Sequence, residues 1–230
     1  MTDTKLGGAE PFVLKRLKNP NRLSRFSREV SAISGLTHPN IVTLIDHNLE
    51  TDHPYLVTEY CRGGSLDNAQ PYWQESPVKA LKVFGQVCSA VAHAHQHNVI
   101  HRDIKPANVF LRSPTGPAVL GDFGLCLLEE EIDRFTQTTE AVGPRLFMAP
   151  ELEDGRLEGV PKESDVYSLG KLLYWLMSKG RMFSREKHRE LSWDLKGHNL
   201  DSITGWNDMS MEHVNRLLDL MVVLSFTLFR

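Results

Sequence analysis

The string HRDIKPAN, at His101–Asn108, constrains the fold of this 230-residue chain more than any other stretch, because its charged and amide side chains interrupt two regular patterns. Before it, Leu81, Phe84, Cys88, Val91 and His95 recur at intervals of 3, 4, 3 and 4, the period of an amphipathic helix of about four turns. After it, the short apolar runs NVFLR and AVLGD flank the turn-rich SPTGP and predict a small β-hairpin. Farther on, Val166, Leu169, Leu173 and Leu176 mark a second helix. A polar loop is therefore held between a helix and a hairpin, in a region built mainly of helices.

The stretch from Pro11 to Tyr60 has a different texture. PFVLKRLK, IVTLIDHN and PYLVTEY read as strands, and between the first two Leu23, Phe26, Val30 and Ile33 form one helical stripe, with Asn21 or Ser24 as candidate caps. The turn Arg62-Gly63-Gly64-Ser65 ends this pattern. The expected fold class is α+β and bilobal, with a small strand-rich lobe over residues 1–61 and a larger helical lobe over 62–230.

Composition narrows the function classes. With 41% apolar residues the chain can bury a core, and a formal net charge of −3 predicts neither a nucleic-acid nor a membrane partner. Cys61, Cys88 and Cys126 are odd in number and widely spaced, so neither a disulfide framework nor a zinc site is expected. His93, His95, His97 and His101 crowd together without a completing carboxylate or thiol, and read as surface and cap residues at a helix end. MTDTKLGGAE lacks the pattern of a secretory signal, which points to a cytoplasmic location. LMVVLSFTLF, residues 220–229, falls short of the roughly 20 apolar residues that span a bilayer, and reads as a core helix or a damaged terminus, with a membrane anchor ranked last.

HRDIKPAN resembles the catalytic loop of protein kinases. Phosphoryl transfer to a hydroxyl needs a carboxylate to orient the nucleophile and accept its proton, a role the resemblance gives to Asp103. Asn108, whose amide oxygen is a hard ligand, is implied as a Mg²⁺ ligand, and Lys105 as the cation beside the transferred group. Nineteen residues after Asp103, Asp122-Phe123-Gly124 follows the run AVLG and resembles the metal-binding DFG element. Ala149-Pro150-Glu151 resembles the APE that closes an activation segment, and Asp165 in DVYSLG the carboxylate that holds the catalytic-loop backbone.

The same resemblance interprets the first lobe. Lys15 stands for the strand lysine, Glu29 for its helix partner and Val13 for the apolar residue on adenine; a pair that forms only when the helix swings in can act as a switch. Thr58 is implied at the back of the nucleotide pocket, Glu59 and Cys61 as backbone contacts to adenine, Ser65 near the ribose, and Phe110 among the ATP-contacting residues. Leu44, Ile33, Phe123 and His101 are implied as a hydrophobic column with Asp165 at its base. Arg102 implies control by a phosphate, for which Thr136, Thr138 and Thr139 are candidates.

Three features depart from the family pattern. Only 14 residues precede Lys15, and Gly7-Gly8 falls in the turn before its strand, so no GxGxxG roof over the phosphates is expected. HVNRLLDLMVV begins like a late helix, without the Arg that would pair with Glu151, and Gly143-Pro144 stands where the pattern has Gly-Thr. The expected function is a Ser/Thr protein kinase using ATP and Mg²⁺ on a protein substrate. Its rival is a catalytically impaired kinase-like fragment or pseudokinase acting as an interaction module.

Overall fold

Short strands cannot satisfy their own backbone groups, so the three N-terminal runs find one another. In the computed structural model, β1 (Phe12–Arg16), β2 (Leu44–Asn48) and β3 (Tyr55–Glu59) form an antiparallel sheet in the order β1-β3-β2. Thr58 lies opposite Val13 on one side and Leu44 on the other. The structure describes residues 10–68, 72–124, 127–128, 146–149, 152, 162–181 and 210–223. Gly7, Gly8, Cys126, Thr136, Thr138, Thr139, Gly143, Pro144, Pro150, Glu151 and residues 224–229 lie outside them.

Helix α1 (Leu23–Ser34) lays Phe26 and Val30 against Leu56 of the sheet, while Ile33 reaches the main core. Leu23 is largely exposed, so the buried stripe begins a turn later than its period suggests. The cap also differs from the sequence reading. Asn19 accepts the Asn21 backbone N–H at 3.0 Å and opens a 3₁₀ turn, Pro20–Arg22, that runs directly into α1. Proline at the head of that turn has no N–H to satisfy, which moves the start upstream of both Asn21 and Ser24.

Helix α2 (Pro77–Gln96) is capped by the Ser76 hydroxyl, which accepts the Lys79 N–H. Its deepest stripe is Ala80, Val83, Val87, Ala90 and Ala94, each at most 1% exposed, one position ahead of the expected Leu81 and Cys88, which are only partly buried. The alanines bring α2 close to its neighbours, a packing reason that a search for large apolar residues overlooks. Helix α3 (Glu163–Met177) departs further from the one-stripe expectation, because α2 and the C-terminal helix cover it on several sides. Apart from its first residue, Glu163, only Val166 and Trp175 escape deep burial, and each fully buried Leu there contributes about 1.5–3 kcal/mol.

α4 (Ser210–Leu218) continues into a π-helical turn, Asp219–Val223, that lies on α3 at Gly170. A β-carbon on Gly170 would come within 2.8 Å of Val222 and 2.9 Å of Met221, so the close approach requires glycine. The predicted hairpin is present. β6 (Val109–Leu111) pairs with β7 (Ala118–Leu120), and β4 (Gly64–Ser65) adds a third strand to β6. β5 (Val99–Ile100) pairs with β8 (Leu127–Leu128). The chain between α1 and β2 is stitched to β7 by Leu120 N–H to Asn40 O at 2.8 Å and Val42 N–H to Leu120 O at 2.9 Å, which joins the two lobes. Among the described residues, no helix is long and apolar enough to cross a membrane.

Candidate active site

A buried carboxylate must collect hydrogen bonds, and Asp165 in the first turn of α3 is fully buried. Its Oδ2 accepts from the His101 backbone N–H at 2.9 Å and from His95 Nε2 at 2.8 Å; its Oδ1 accepts from the Arg102 N–H at 2.7 Å. These bonds hold Arg102 in a left-handed conformation, φ 66°, which costs a non-glycine residue about 1–3 kcal/mol. The His101 ring is fully buried, accepts the Asp103 N–H at Nδ1 (3.3 Å) and donates from Nε2 to Gly121 O (3.1 Å). The two bonds select the tautomer with its proton on Nε2. His95 and His101 are thus structural links, a correction to their reading as surface and cap residues. His93 and His97, four residues apart on α2, stand on one helix face with ring centroids 4.2 Å apart.

The His101 ring also meets Phe123 edge-on at 4.7 Å, with Ile33 buried in the same core and the half-buried Leu44 packed against it. The four residues expected to form a column therefore all lie in or against one cluster, with Asp165 hydrogen-bonded at its His101 end.

With the loop anchored, its functional groups converge. The Asp103 carboxylate, only 17% exposed, accepts from Lys105 Nζ at 2.7 and 3.0 Å and from Asn108 Nδ2 at 2.8 Å. Asn108 Nδ2 also donates to the Asp103 backbone carbonyl at 2.8 Å, so its amide oxygen lies on the other side of the carboxamide. The Asn108 carbonyl accepts the Gly121 N–H at 2.9 Å, which sets the loop directly beside the residue before Asp122.

Lys15, on β1, closes the site from the other lobe. Its Nζ donates to both Glu29 oxygens at 2.7 and 2.8 Å and to Asp122 Oδ1 at 3.1 Å. Burial opposes the Lys15 charge, but the two carboxylates prevail and raise its pKa above the ordinary lysine value. Burial likewise pushes Asp122 upward, yet Lys15 outweighs it and holds the carboxyl below its usual range. For the nearly buried Glu29, desolvation exceeds the pull of Lys15 and raises the pKa. Asp122 sits at φ 56°, a second left-handed non-glycine residue at the site. A β-carbon on Gly124 would lie 3.2 Å from Asp122 Oδ1 and 3.3 Å from Glu29 Oε2, so glycine leaves room for both carboxylates.

At the other edge of the cleft, Val13 and Thr58 are cross-strand neighbours, as are Ser65 and Phe110. Cys61 is buried and its thiol pKa is pushed up to about 11, mainly by burial and then by the charge of Glu59, so it is not a thiolate at neutral pH. Three contributors escaped the sequence reading. His95 reaches Asp165 from α2; Arg25, whose Nε donates to Gly124 O at 2.7 Å, lies one turn before Glu29 on the same helix face; and Arg112 grips the Glu59 side chain at 2.9 Å. Only Arg25 had a legible signal, its i, i+4 spacing to Glu29.

A bilobal α+β fold with a strand lysine paired to a helix glutamate, and a carboxylate loop set beside Asp-Phe-Gly, is the arrangement of a protein kinase domain. The family model described as "Protein kinase domain" matches residues 5–223, and the chain belongs to this family. Among similar proteins, the serine/threonine-protein kinase PrkC of Bacillus subtilis (strain 168) is 32% identical over 197 residues, 85% of this chain and 30% of PrkC. The serine/threonine-protein kinase PknB of Mycobacterium tuberculosis (strain ATCC 25618 / H37Rv) is 35% identical over 167 residues, 70% of this chain and 26% of PknB. A putative serine/threonine-protein kinase A of Trypanosoma brucei brucei is 35% identical over 181 residues, 75% of this chain and 41% of that protein. The chain spans less than half the length of each of these relatives.

Proposed function

We propose that this domain is a Ser/Thr-directed protein kinase, moving the γ-phosphoryl group of ATP to a serine or threonine hydroxyl of a protein substrate. The observation that carries this reading is the single Lys15 ammonium bonded at once to Glu29 and Asp122, across 14 and 107 residues of sequence. Such a cation is oriented to hold nucleotide phosphates, and the names of the relatives support the choice of Ser/Thr.

The Asn108 amide oxygen and the Asp122 carboxylate are hard oxygen donors, a set that suits Mg²⁺. Bound there, Mg²⁺ would neutralise charge on the phosphate oxygens. Asp103 orients the substrate hydroxyl and accepts its proton as that oxygen bonds to the γ-phosphorus and the bond from phosphorus to the departing ADP oxygen breaks. Lys105, already on the Asp103 carboxylate, offsets negative charge on the group in transit. Arg102, with Thr136, Thr138 or Thr139, is proposed as the route of phosphate control. A cytosolic setting fits the two described cysteines, Cys61 and Cys88, both free thiols.

Incubating the protein with labelled ATP and a generic basic protein substrate tests the proposal. Asp103→Ala should lower turnover by about 10²–10⁴-fold. Equal labelling by wild type and variant would overturn it. Mg-ATP should also raise the melting temperature of wild type, and much less that of Asp122→Ala.

A further inference from the structure

Arg112, the residue after β6, carries a guanidinium that plays no part in the proposed phosphotransfer. Its Nε donates to Glu59 Oε2 and its Nη2 to Glu59 Oε1, both at 2.9 Å, the side-on fork of a bidentate Arg–carboxylate pair. The remaining nitrogen, Nη1, donates to Pro39 O at 2.7 Å, and Nη2 also lies 3.5 Å from Ile41 O. The Glu59 carboxylate is completed by Thr43, whose N–H and hydroxyl both donate to Oε1 at 2.8 Å. The main chain adds to the grip, because the Arg112 carbonyl accepts the Arg62 N–H at 3.1 Å.

One side chain therefore ties three pieces together: the β6–β7 hairpin of the helical lobe, the connector from α1 to β2, and the last residue of β3. Both partners are half-buried, at 31% and 23% side-chain exposure, so salt screens the pair less than it would a surface one. Burial alone would raise the Glu59 pKa, but the hydrogen bonds from Arg112 and Thr43 lower it, and the bond to Glu59 raises that of Arg112. A lysine could not reproduce the fork. The docking of connector on hairpin does not depend on Arg112 alone, since Asn40 Nδ2 also donates to Ala118 O at 2.8 Å.

We propose that Arg112 is a positioning residue for the nucleotide. By clamping Glu59 to the helical lobe, it presents the backbone of residues 59–61 in one geometry to the adenine, so that ordering of this segment is not charged against binding. The proposal deepens the kinase reading above and rests on it.

The test uses the full chain as wild type, Arg112→Met, Arg112→Lys, Glu59→Gln and the Met/Gln double variant. Mg-ATP dissociation constants come from calorimetry, and kcat and KM for ATP and for the protein substrate from turnover assays. Arg112→Met should raise the ATP KM and dissociation constant about tenfold, the size of one lost charge-assisted bond, with kcat and the protein-substrate KM within about twofold. Arg112→Lys should recover less than half of the loss on a logarithmic scale. Glu59→Gln should raise the ATP KM about threefold, and the double variant should be no worse than Arg112→Met, because both changes remove one coupled contact.

An ATP dissociation constant for Arg112→Met within about twofold of wild type would overturn the proposal while leaving the kinase reading intact. So would a fall in kcat that accompanies an equal rise in both KM values, the mark of a merely structural role. Wild type that neither binds Mg-ATP nor labels a substrate would instead overturn the kinase reading. If Arg112→Met melts below the assay temperature, Glu59→Gln decides: an unchanged ATP KM in that folded variant counts against the clamp.

Discussion

Two charged centres of this molecule, one around Asp165 and one around Lys15, are built on opposite principles. Around Asp165 a fully buried carboxylate receives two main-chain N–H groups and one imidazole, which ties the backbone at His101 and Arg102 to α3. Around Lys15 the links run from side chain to side chain, joining β1, α1 and the Asp122 loop, with Lys15 and Asp122 each nearly half exposed. Water reaches the Lys15 and Asp122 ends of those bonds, whereas the Glu29 carboxylate is buried. The first centre fixes the shape of the loop that carries Asp103, while the second is a side-chain contact between lobes, open to water on its Lys15 and Asp122 side and able to rearrange.

The largest effect expected from breaking this contrast is on Asp165. Asp165→Ala leaves the His101 and Arg102 N–H groups without their acceptor and should destabilise the fold by about 3–5 kcal/mol, read from denaturant unfolding. A loss below about 1 kcal/mol would mean that the loop holds itself and that the two centres do not differ. At the second centre, Lys15→Met should lower phosphotransfer about 100-fold while costing about 1–3 kcal/mol of stability, less than Asp165→Ala, because only the Glu29 end of the contact is buried. A stability loss matching that of Asp165→Ala would erase the distinction.

The smallest effect sharpens the comparison through pH. Lys171, fully buried on α3, has its pKa lowered to about 6 by burial, whereas Lys15 is raised above the ordinary 10.5 by its carboxylates. Between about pH 6 and 10.5 the unfolded chain binds a proton at residue 171 that the folded chain does not, so this group makes stability rise with pH across that window. Lys15 acts in the opposite sense: its contribution is complete below 10.5 and fades as pH rises through its elevated folded value. Lys171→Met should flatten the first slope and raise the melting temperature at pH 7 by roughly 2–8 °C, whereas Lys15→Met should leave that slope in place. Identical pH–stability curves for wild type and Lys171→Met would refute the assignment.

Much of the site was legible because its residues come in short strings. HRDIKPAN and Asp-Phe-Gly each place several functional groups within a few residues, and the hairpin between them is flagged by its own turn. Lys15 and Glu29 could be named because one falls on a strand pattern and the other inside a helical stripe. The misreadings have a common origin. Asn19 replaced Asn21 and Ser24 as the cap because Pro20 starts a tighter turn first, and the buried stripe of α2 moved to its alanines because close approach rewards small residues. His95, Arg25 and Arg112 look like surface residues until partners 70, 99 and 53 residues away reach them.

What the sequence by itself determined was the chemistry: which carboxylates, cations and amides are present, in what order, and on which kind of local element, since strands, helices and turns depend on neighbours along the chain. What only the tertiary structure decided was which of those groups meet. Asp122 has its pKa lowered because Lys15 arrives from another strand, Arg102 stays strained because Asp165 is buried beneath it, and Glu59 is clamped because Arg112 folds back onto it. Electrostatic and hydrogen-bond energies depend on distance and burial through space, and neither quantity is carried by position along the chain.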